Sequence, residues 1–380
     1  MGVSVNTFLS AAQKTLQEQY VKFVDEVIAP VAAELDKVEG SSCQKEIMSK
    51  LGQNGYLGIT VAKDLGGQGG TLLDAALFVE ALGAQAAGLA LAVSSHYSVV
   101  ELISRFGSET QKSRYLPLLA RGECFGAQAF SEEKAGSDLS LIETIAEVNG
   151  AEVKLTGVKT WVVSADLPVL LAVLGKNGEE KGVWLLDGAD RSSVELSARK
   201  GTMGFRSARL FDVTLKAAKA SADNQLKGAD ALALASCALD VSKTLLAACA
   251  LGLCQQGLSL AAQRANTREQ FGAPIAKNQG VQWKLADFST DAAAARLLTY
   301  RAAWSRDGAP AEFRKFAAMA KSYAARTARL HSGEAVQIFG MLGASCDEPL
   351  ERIYRDAKLT EIFEGTSELQ KVILKEELGV

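Results

Sequence analysis

The spacing of apolar residues predicts helices in the first third of the chain. Between about residues 8 and 122, apolar side chains recur every three or four positions, as they do on one face of a helix. The first such stripe is interrupted at Pro30 and contains Phe8, Ala11, Ala12, Leu16, Tyr20, Phe23 and Val27. Further helices are predicted over residues 73–87 and 95–106, the second ending at Gly107. We therefore expect an α-helical domain over residues 1–123.

The period of the pattern changes in the middle of the chain. Short apolar segments predict strands over residues 153–156, 161–163, 169–173 and 183–186. Asn-Gly pairs at residues 149–150 and 177–178 are typical of the turns between such strands. We expect a β domain over residues 124–226.

From about Lys227 the chain is rich in Ala and Leu and again has a helical pattern. Helices are predicted over residues 232–271, 276–307, 311–339 and 368–378, and they define a third domain over residues 227–380. Gly272 followed by Pro274 ends the first of them. The longest apolar run, residues 245–254, is about half as long as a bilayer requires, so we expect a buried helix and no membrane insertion.

The composition argues against several classes of function. Lys and Arg total 41 against 44 Asp and Glu, and no basic block breaks this balance, so nucleic-acid binding is not expected. Six cysteines without a Cys-x-x-Cys pair, together with only two histidines, argue against a Cys/His metal site. The N-terminus lacks the basic and apolar parts of a signal peptide, so we expect a cytoplasmic protein with reduced thiols.

A carboxylate beside a glycine is the first candidate for chemistry. Glu364 precedes Gly365 and Thr366, and the next residue, Ser367, forms a capping-box pattern with Gln370, which predicts a helix start at Ser367. A helix N-terminus favours the charged form of Glu364, whereas burial would raise its pKa, and the sequence leaves open which effect is larger. From these residues alone, a surface carboxylate is the favoured interpretation.

Three further segments carry recognisable patterns. Residues 129–138, Ala-Phe-Ser-Glu-Glu-Lys-Ala-Gly-Ser-Asp, predict a strand and a loop whose N–H groups and hydroxyls can hold an anion or a polar ring edge, although an ordinary turn is the favoured interpretation. Residues 65–70 contain four glycines but follow no βαβ pattern, so they do not predict a nucleotide-binding loop. Residues 268–272, Arg-Glu-Gln-Phe-Gly, end a predicted helix, where Arg268 can bind terminal carbonyls.

Together these motifs resemble those of the acyl-CoA dehydrogenases, a family of flavoproteins. The likeness covers nearly the whole chain and includes the segments 65–70, 129–138, 161–163, 268–272, 337–343 and 355–370. It implies an α+β fold with an N-terminal helical domain, a middle β-barrel or β-sandwich domain and a C-terminal four-helix bundle.

The resemblance also implies bound FAD and a set of residues that hold it. Contacts from one subunit fall on Gln128, Phe130, Ser131, Gly136, Ser137, Trp161 and Val163. Contacts from the neighbouring subunit of a homotetramer fall on Arg268, Gln270, Phe271, Gln279, Gln337 and Gly340, and Thr366 and Glu368 complete the set. The acyl-CoA substrate would contact Ser137, Asp240, Lys243, Phe363 and Gly365.

The chain departs from the family pattern at several of these positions. Val163 stands where the family usually has a hydroxyl that donates to flavin N5, so either Ser164 substitutes or N5 lacks this contact. Lys243 replaces an arginine and loses its bidentate fork. Met341 replaces a glycine, and Glu133 replaces a proline, which should leave the loop less rigid.

The implied reaction converts an acyl-CoA thioester into a trans-2,3-enoyl-CoA. Glu364 would remove the α-proton while the β-hydrogen leaves as hydride to flavin N5, and the N–H of Glu364 with a ribityl hydroxyl would hold the enolate oxygen. Ser242 occupies the position where a minority of the family carries its base, and serine cannot serve as one. Electrons would pass to an electron-transferring flavoprotein. Leu89, near the position of an arginine in glutaryl-specific relatives, argues against a dicarboxylic acyl group.

Three alternatives remain open at this point. An acyl-CoA oxidase and an enoyl-CoA reductase would use the same fold with a different redox partner. A flavin-free binding or scaffold protein is the third, and its only support is the departures at Val163 and Met341 and the short spacing between residues 203–206 and 210–213.

Overall fold

Buried apolar stripes assemble the first third of the chain into packed helices. The computed structural model describes residues 9–37, 41–199 and 201–379, so Phe8, the start of the predicted stripe, lies outside the described residues. The helices of this region are α1 Ala11–Phe23, α2 Ala32–Leu35, α3 Ser41–Gln53, α4 Leu72–Gln85, α5 Ala87–Phe106 and α6 Glu109–Ala120. Three of them begin at capping boxes, with the hydroxyls of Ser10, Thr71 and Ser108 accepting a backbone N–H.

Two predicted boundaries in this region were wrong. The helix predicted over residues 95–106 begins at Ala87, because α5 is buried on all sides as far as Ile103 and shows no polar face to set its period. The first helix, whose stripe was predicted to continue as far as Pro30, ends at Phe23. The stripe beyond it lies in a π-helical turn, Val24–Ile28, and in a short 3₁₀ turn that contains Pro30.

Within the described residues, seven strands of the middle region form one hydrogen-bonded sheet. They are β1 Phe125–Ala129, β2 Ile145–Asn149, β3 Glu152–Val163, β4 Val169–Asn177, β5 Glu180–Asp187, β6 Val194–Ala198 and β7 Leu210–Ser221. The order is β1-β4-β2-β3-β7-β6, with β5 also paired with β4. The strands predicted over residues 153–156 and 161–163 are two parts of the single strand β3. The sequence pattern shows them as separate because the register shifts between Lys159 and Val162.

The last region is a bundle around the long helix α7. Its elements are α7 Ala231–Thr267, β8 Glu269–Gln270, β9 Ala273–Pro274, α8 Gln279–Gly308, α9 Phe313–Phe339, α10 Leu350–Thr360 and α11 Ser367–Leu378. The helix predicted to reach residue 271 ends at Thr267, because the backbone of Arg268 is already extended; Phe271 and Gly272, with φ of 54° and 78°, form the turn of the β8–β9 hairpin that follows. Helix α10 was not predicted. The α+β class, with helical, β and helical regions in this order, is confirmed.

Helices α5 and α7 form the centre of the fold. Both are long and apolar enough to cross a membrane by length and composition, and 94% and 89% of their apolar windows are buried inside the protein. Helix α7 crosses α4 so closely that a Cβ on Gly252 would lie 2.2 Å from the carbonyl oxygen of Glu80. This burial shows that both helices serve as core helices of the packed structure.

Helix α10 connects the three regions through two adjacent residues. The guanidinium of Arg355 lies 2.6 Å from the Asp36 carboxylate and donates to the carbonyl of Met203 at 3.0 Å. The buried carboxylate of Asp356 accepts the N–H of Phe205 at 2.6 Å, and burial raises the pKa of Asp356 to about 7. These five residues, the three-region joint, fix α10 directly before the turn that carries Glu364.

Candidate active site

A cleft of about 630 Å³ lies where the middle sheet meets the C-terminal helices. Its walls come from the loop after β1, the end of β3, α7, and the turn between α10 and α11. The predicted site residues that line it are Gln128, Phe130, Ser131, Gly136, Ser137, Trp161, Val163, Lys243, Phe363, Glu364 and Gly365. The volume is typical of a site for a small molecule or cofactor, about 300–1,000 Å³.

Glu364 lies on a tight turn with a strained backbone. Glu364 and Gly365 both adopt left-handed conformations, with φ of 57° and 88°. The hydroxyl of Thr366 accepts the N–H of Leu369 at 3.2 Å, so Thr366 caps α11. Helix α11 begins at Ser367, as predicted, but its cap is Thr366 and not the predicted Ser367, because the left-handed pair ends one position before Thr366. Instead of closing a capping box, the Gln370 amide donates to the carbonyl of Gly365 at 3.0 Å.

The carboxylate of Glu364 is held from the side of α7. The hydroxyl of Ser242 donates to Glu364 Oε2 at 2.6 Å, a contact that joins residues 122 positions apart. Burial raises the pKa of Glu364, while the Ser242 hydrogen bond and the charges of Lys243 and Lys321 act in the opposite direction. Of these effects burial is the largest, so the pKa of Glu364 is raised on balance.

The two predicted substrate residues on α7 form a buried ion pair. Lys243 Nζ lies 2.7 Å from Asp240 Oδ1, and both side chains are at least nine-tenths buried. Lys243 lines the cleft, whereas Asp240 lies behind it. The pair fixes a cation in the cleft wall at a defined depth.

A buried ion pair holds the loop after β1 in place. Lys159 Nζ lies 2.6 Å from Glu132 Oε1 and 3.2 Å from the carbonyl of Phe130. Glu132 also accepts the Thr144 hydroxyl at 2.6 Å. Burial would raise the pKa of Glu132, but these hydrogen bonds hold it below its usual range, and burial lowers the pKa of Lys159 to about 8. These contacts anchor the loop at Glu132, beside Glu133, where the sequence predicted less rigidity.

A bulge in β3 turns Trp161 towards the cleft. Thr160 and Trp161 stand opposite the single residue Asp212, Trp161 has a φ of 60°, and its side chain is 44% exposed. The guanidinium of Arg199 lies 4.0 Å from the Trp161 ring centroid and is held by Asp212 at 2.6 Å. The bulge therefore supplies a broad aromatic surface in the wall.

The hydroxyl that the sequence lacks at Val163 is not supplied by its neighbour. Val163 lines the cleft, but Ser164 does not belong to its wall among the described residues. The Ser164 hydroxyl donates to the carbonyl of Ala208 at 2.8 Å and accepts from the Gln44 amide at 2.9 Å. Ser164 is thus occupied in a buried network.

Among the described residues, the other predicted cofactor residues are not part of the cleft wall. Within the described ranges, its wall contains neither the residues of the hairpin and helix ends nor those of the α11 cap: Arg268, Gln270, Phe271, Gln279, Gln337, Gly340, Thr366 and Glu368. The first six are exposed, Phe271 completely. Phe339 lies 5.5 Å from the Arg264 guanidinium, so the hairpin after α7 and the end of α9 meet at one end of the bundle.

Sequence reasoning missed two residues that act on the Glu364 turn. The sequence excludes Ser242 as a base, since serine cannot be one, and gives no sign that its hydroxyl donates to the base. Lys321 stands in an alanine-rich helix and reaches two carbonyls of the turn. A lysine within an apolar helical stripe was the available signal for Lys321.

The wall after β1 suits the polar edge of a flavin ring. The Nε2 atom of Gln128 is buried without a hydrogen-bond partner among the described residues. Ser131 and Ser137 contribute hydroxyls to the same wall, and Trp161 contributes an aromatic face. These donors and this surface fit a planar ring with polar edge atoms.

Comparison with known proteins gives consistent matches along the chain. Sequence profiles of the acyl-CoA dehydrogenase N-terminal, middle and C-terminal domains match residues 10–123, 127–218 and 232–379. The acryloyl-CoA reductase (NADH) of Anaerotignum propionicum is 33% identical over 97% of this chain and 95% of the relative.

Solved structures agree with this likeness. The butyryl-CoA dehydrogenase of Megasphaera elsdenii matches with a TM-score of 0.91 and 30% identity, over 98% of this chain and 99% of the other. An acyl-CoA dehydrogenase of Bacillus anthracis, solved with FAD, matches with a TM-score of 0.92 and 26% identity, over 98% of this chain and 67% of the other.

Proposed function

The chain belongs to the acyl-CoA dehydrogenase family of FAD-dependent oxidoreductases, and we propose that it oxidises an acyl-CoA thioester to a trans-2,3-enoyl-CoA with Glu364 as the catalytic base. The observation that carries this proposal is the position of Glu364. Its carboxylate lines the cleft on a strained turn and is oriented by Ser242.

The environment of Glu364 suits the removal of a weakly acidic proton. A general base works best when its pKa lies near the working pH, and burial raises the pKa of Glu364 in that direction. The Ser242 hydrogen bond opposes this shift by favouring the ionised carboxylate, and it fixes one of the carboxylate oxygens. The second oxygen is then available for the α-proton of the substrate.

Backbone groups of the same turn can stabilise the enolate that forms. The N–H groups of Glu364 and Gly365 have no acceptor among the described residues, and both residues line the cleft. A donor aimed at the thioester oxygen lowers the barrier, since charge develops on that oxygen as the proton leaves. We assign this role to the N–H of Glu364.

The residues that would hold FAD divide between two subunits. Gln128, Phe130, Ser131, Trp161 and Val163 would contact its ring system from the cleft wall. When bound, FAD supplies the acceptor for the hydride that leaves the β-carbon. The exposed groups at the end of the bundle, among them Arg268 and Gln337, do not reach their own cleft and would serve the cofactor of a neighbouring subunit in a homotetramer.

The substrate assignment rests on the cleft and on the relatives. Lys243, fixed by Asp240, offers a cation to the CoA portion of the substrate. Similarity to a butyryl-CoA dehydrogenase favours a short acyl chain. We further propose a cytoplasmic enzyme that passes its electrons to an electron-transferring flavoprotein.

A second candidate is the reverse reaction, reduction of an enoyl-CoA. The observation that favours this reaction is the 33% sequence identity with an acryloyl-CoA reductase. The same base would then act as the acid that protonates the α-carbon.

An absorbance spectrum of the purified protein under anaerobic conditions tests both candidates. A flavin band that bleaches with a short acyl-CoA would establish dehydrogenation. Reoxidation of the dithionite-reduced flavin by an enoyl-CoA, without bleaching by any acyl-CoA, would favour the reductase. Absence of flavin after reconstitution would leave the scaffold alternative.

Replacement of Glu364 by glutamine, with a control replacement on the same turn, tests the assignment of the catalytic base. Glu364→Gln should retain flavin and lower its rate of reduction by about 10²- to 10⁴-fold, the usual contribution of a general base. Glu361→Gln is the control, because Glu361 lies on the same turn, pairs with Arg329 at 2.9 Å and does not line the cleft. Full activity of Glu364→Gln would end the assignment of the base.

A further inference from the structure

Lys321 extends from α9 to the turn that carries Glu364. It lies on α9 and is completely buried. Its Nζ lies 2.5 Å from the carbonyl oxygen of Gly365 and 3.1 Å from that of Glu361. These two carbonyls stand on either side of Glu364 in the chain. The ammonium therefore bridges the two ends of the turn that carries the base.

The partners of Lys321 are unusual for a buried cation. Burying an ammonium group is costly unless partners compensate for the lost water. Among the described residues no carboxylate forms an ion pair with it, and its hydrogen-bond acceptors are the two turn carbonyls. The buried ammonium of Lys321 is therefore stabilised mainly by the two carbonyls, and this requires the turn to keep both of them pointing at Lys321.

The turn needs such support because its backbone is strained. A residue other than glycine in the left-handed region persists only where its surroundings hold it, and Glu364 has a φ of 57°. The Gln370 amide, which also donates to the Gly365 carbonyl, supports the turn from α11.

We propose, building on the function proposed above, that Lys321 is the positioning residue of the base: it binds the Glu361 and Gly365 carbonyls and thereby holds Glu364 in its left-handed conformation in the cleft. Lys321 does not touch the substrate. It acts through the turn, so its loss should change the rate of α-proton removal more than the affinity for acyl-CoA.

The charge of Lys321 also acts on the base. Burial lowers the pKa of Lys321 to about 7, so Lys321 is protonated on the acid side of that value; of the charged groups that face it, Glu364, Glu361 and Glu368 raise this pKa and Lys243 lowers it. A positive charge at this place favours the carboxylate form of Glu364. The acid limb of the pH–rate profile is the range in which the rate falls because the base becomes protonated. Removing the charge of Lys321 should therefore move this acid limb to higher pH.

Two variants separate the contacts from the charge. Lys321→Met removes both, whereas Lys321→Gln keeps an N–H donor for a carbonyl without the charge. Arg329→Gln is the control, since Arg329 pairs with the Glu361 side chain and not with the turn carbonyls. All are compared as flavin-loaded full-length proteins.

Lys321→Met should retain flavin, bind a short acyl-CoA within about threefold of wild type, and lose about 100-fold in the rate of flavin reduction, as expected for a small misplacement of the base. Its acid limb should move to higher pH. Lys321→Gln should recover part of the rate but keep the shifted limb, and Arg329→Gln should resemble wild type. Should Lys321→Met fail to fold, Lys321→Gln carries the test with the same expected shift.

Hydrogen–deuterium exchange gives a readout that does not depend on turnover. Amides of residues 359–370 should exchange at least about tenfold faster in Lys321→Met than in wild type or Arg329→Gln. If wild type is reduced by no acyl-CoA, the proposed function fails while exchange still decides the role of Lys321. Unchanged exchange, an unchanged acid limb, or an equal loss of rate in Arg329→Gln would overturn the proposal.

Discussion

Replacement of Ser242 by alanine tests how the base is tuned. The Ser242 hydroxyl donates to Glu364 Oε2 at 2.6 Å, and this hydrogen bond favours the carboxylate. Hydrogen bonds to charged groups contribute about 1.5–3 kcal/mol. Each 1.36 kcal/mol corresponds to a factor of ten in an ionisation equilibrium. Because the cleft is open to water, we take the lower end and expect Ser242→Ala to weaken the acidity of Glu364 by about tenfold.

The measurement is the rate of flavin reduction by a saturating acyl-CoA as a function of pH. A base acts only when ionised, so the rate falls as pH drops through its pKa. Ser242→Ala should shift this limb to higher pH and lower the rate on its acid side. Thr244→Ala is the control, because this buried hydroxyl on the same helix donates to the Asp240 carbonyl at 2.7 Å and does not contact Glu364. An acid limb that stays in place in Ser242→Ala would refute the reasoning.

Two further changes probe the turn and the three-region joint. Gly365→Ala would place a Cβ 2.8 Å from Gln370 Nε2 at a φ of 88°, so we expect a loss of about 1–3 kcal/mol in the free energy of unfolding and slower flavin reduction; wild-type values in both assays would contradict this. Burial raises the pKa of Asp356 from 3.8 to about 7, so the folded protein binds a proton that the unfolded chain has lost, and this group lowers the free energy of unfolding as pH rises through that window. Asp356→Asn keeps an oxygen for the Phe205 N–H but cannot titrate, so its stability relative to wild type should increase between about pH 4 and about pH 7, by at most about 4 kcal/mol, in urea unfolding. Equal pH slopes for the two proteins would exclude this role for Asp356.

Local motifs allowed much of the cleft to be predicted. Glu364, the loop over residues 129–138 and Trp161 were assigned through the resemblance to the family, whose motifs are short and local, and the structure brings these residues to one cleft. The start of α5 could not be predicted, since burial on all sides removes the polar face that marks a period. The helix cap was placed one residue too late because Thr366 and Ser367 are both capping residues and only the backbone conformation decides between them.

Contacts between distant segments set the limit of that reasoning. The Ser242–Glu364 and Lys321–Gly365 hydrogen bonds join residues 122 and 44 positions apart. A lysine in an apolar helical stripe indicates a buried cation, but neither that lysine nor the serine reveals its partner in the sequence, because the partner depends on which helix packs against the turn. The pKa of Glu364 followed from the same packing, and the sequence supplied only the two opposing effects.

The three-region joint has a consequence for how the protein matures. Arg355 meets Asp36 across 319 positions of the chain and Met203 across 152, and both contacts lie just before the base in the sequence. Contacts of such separation form late, because the entropy of closing long loops must be overcome first. On the ribosome the last helices also emerge last, after the partners that they must join. The base is therefore positioned only after the three regions have packed together. Catalytic activity during synthesis or refolding should then report fully folded molecules and not partly folded ones.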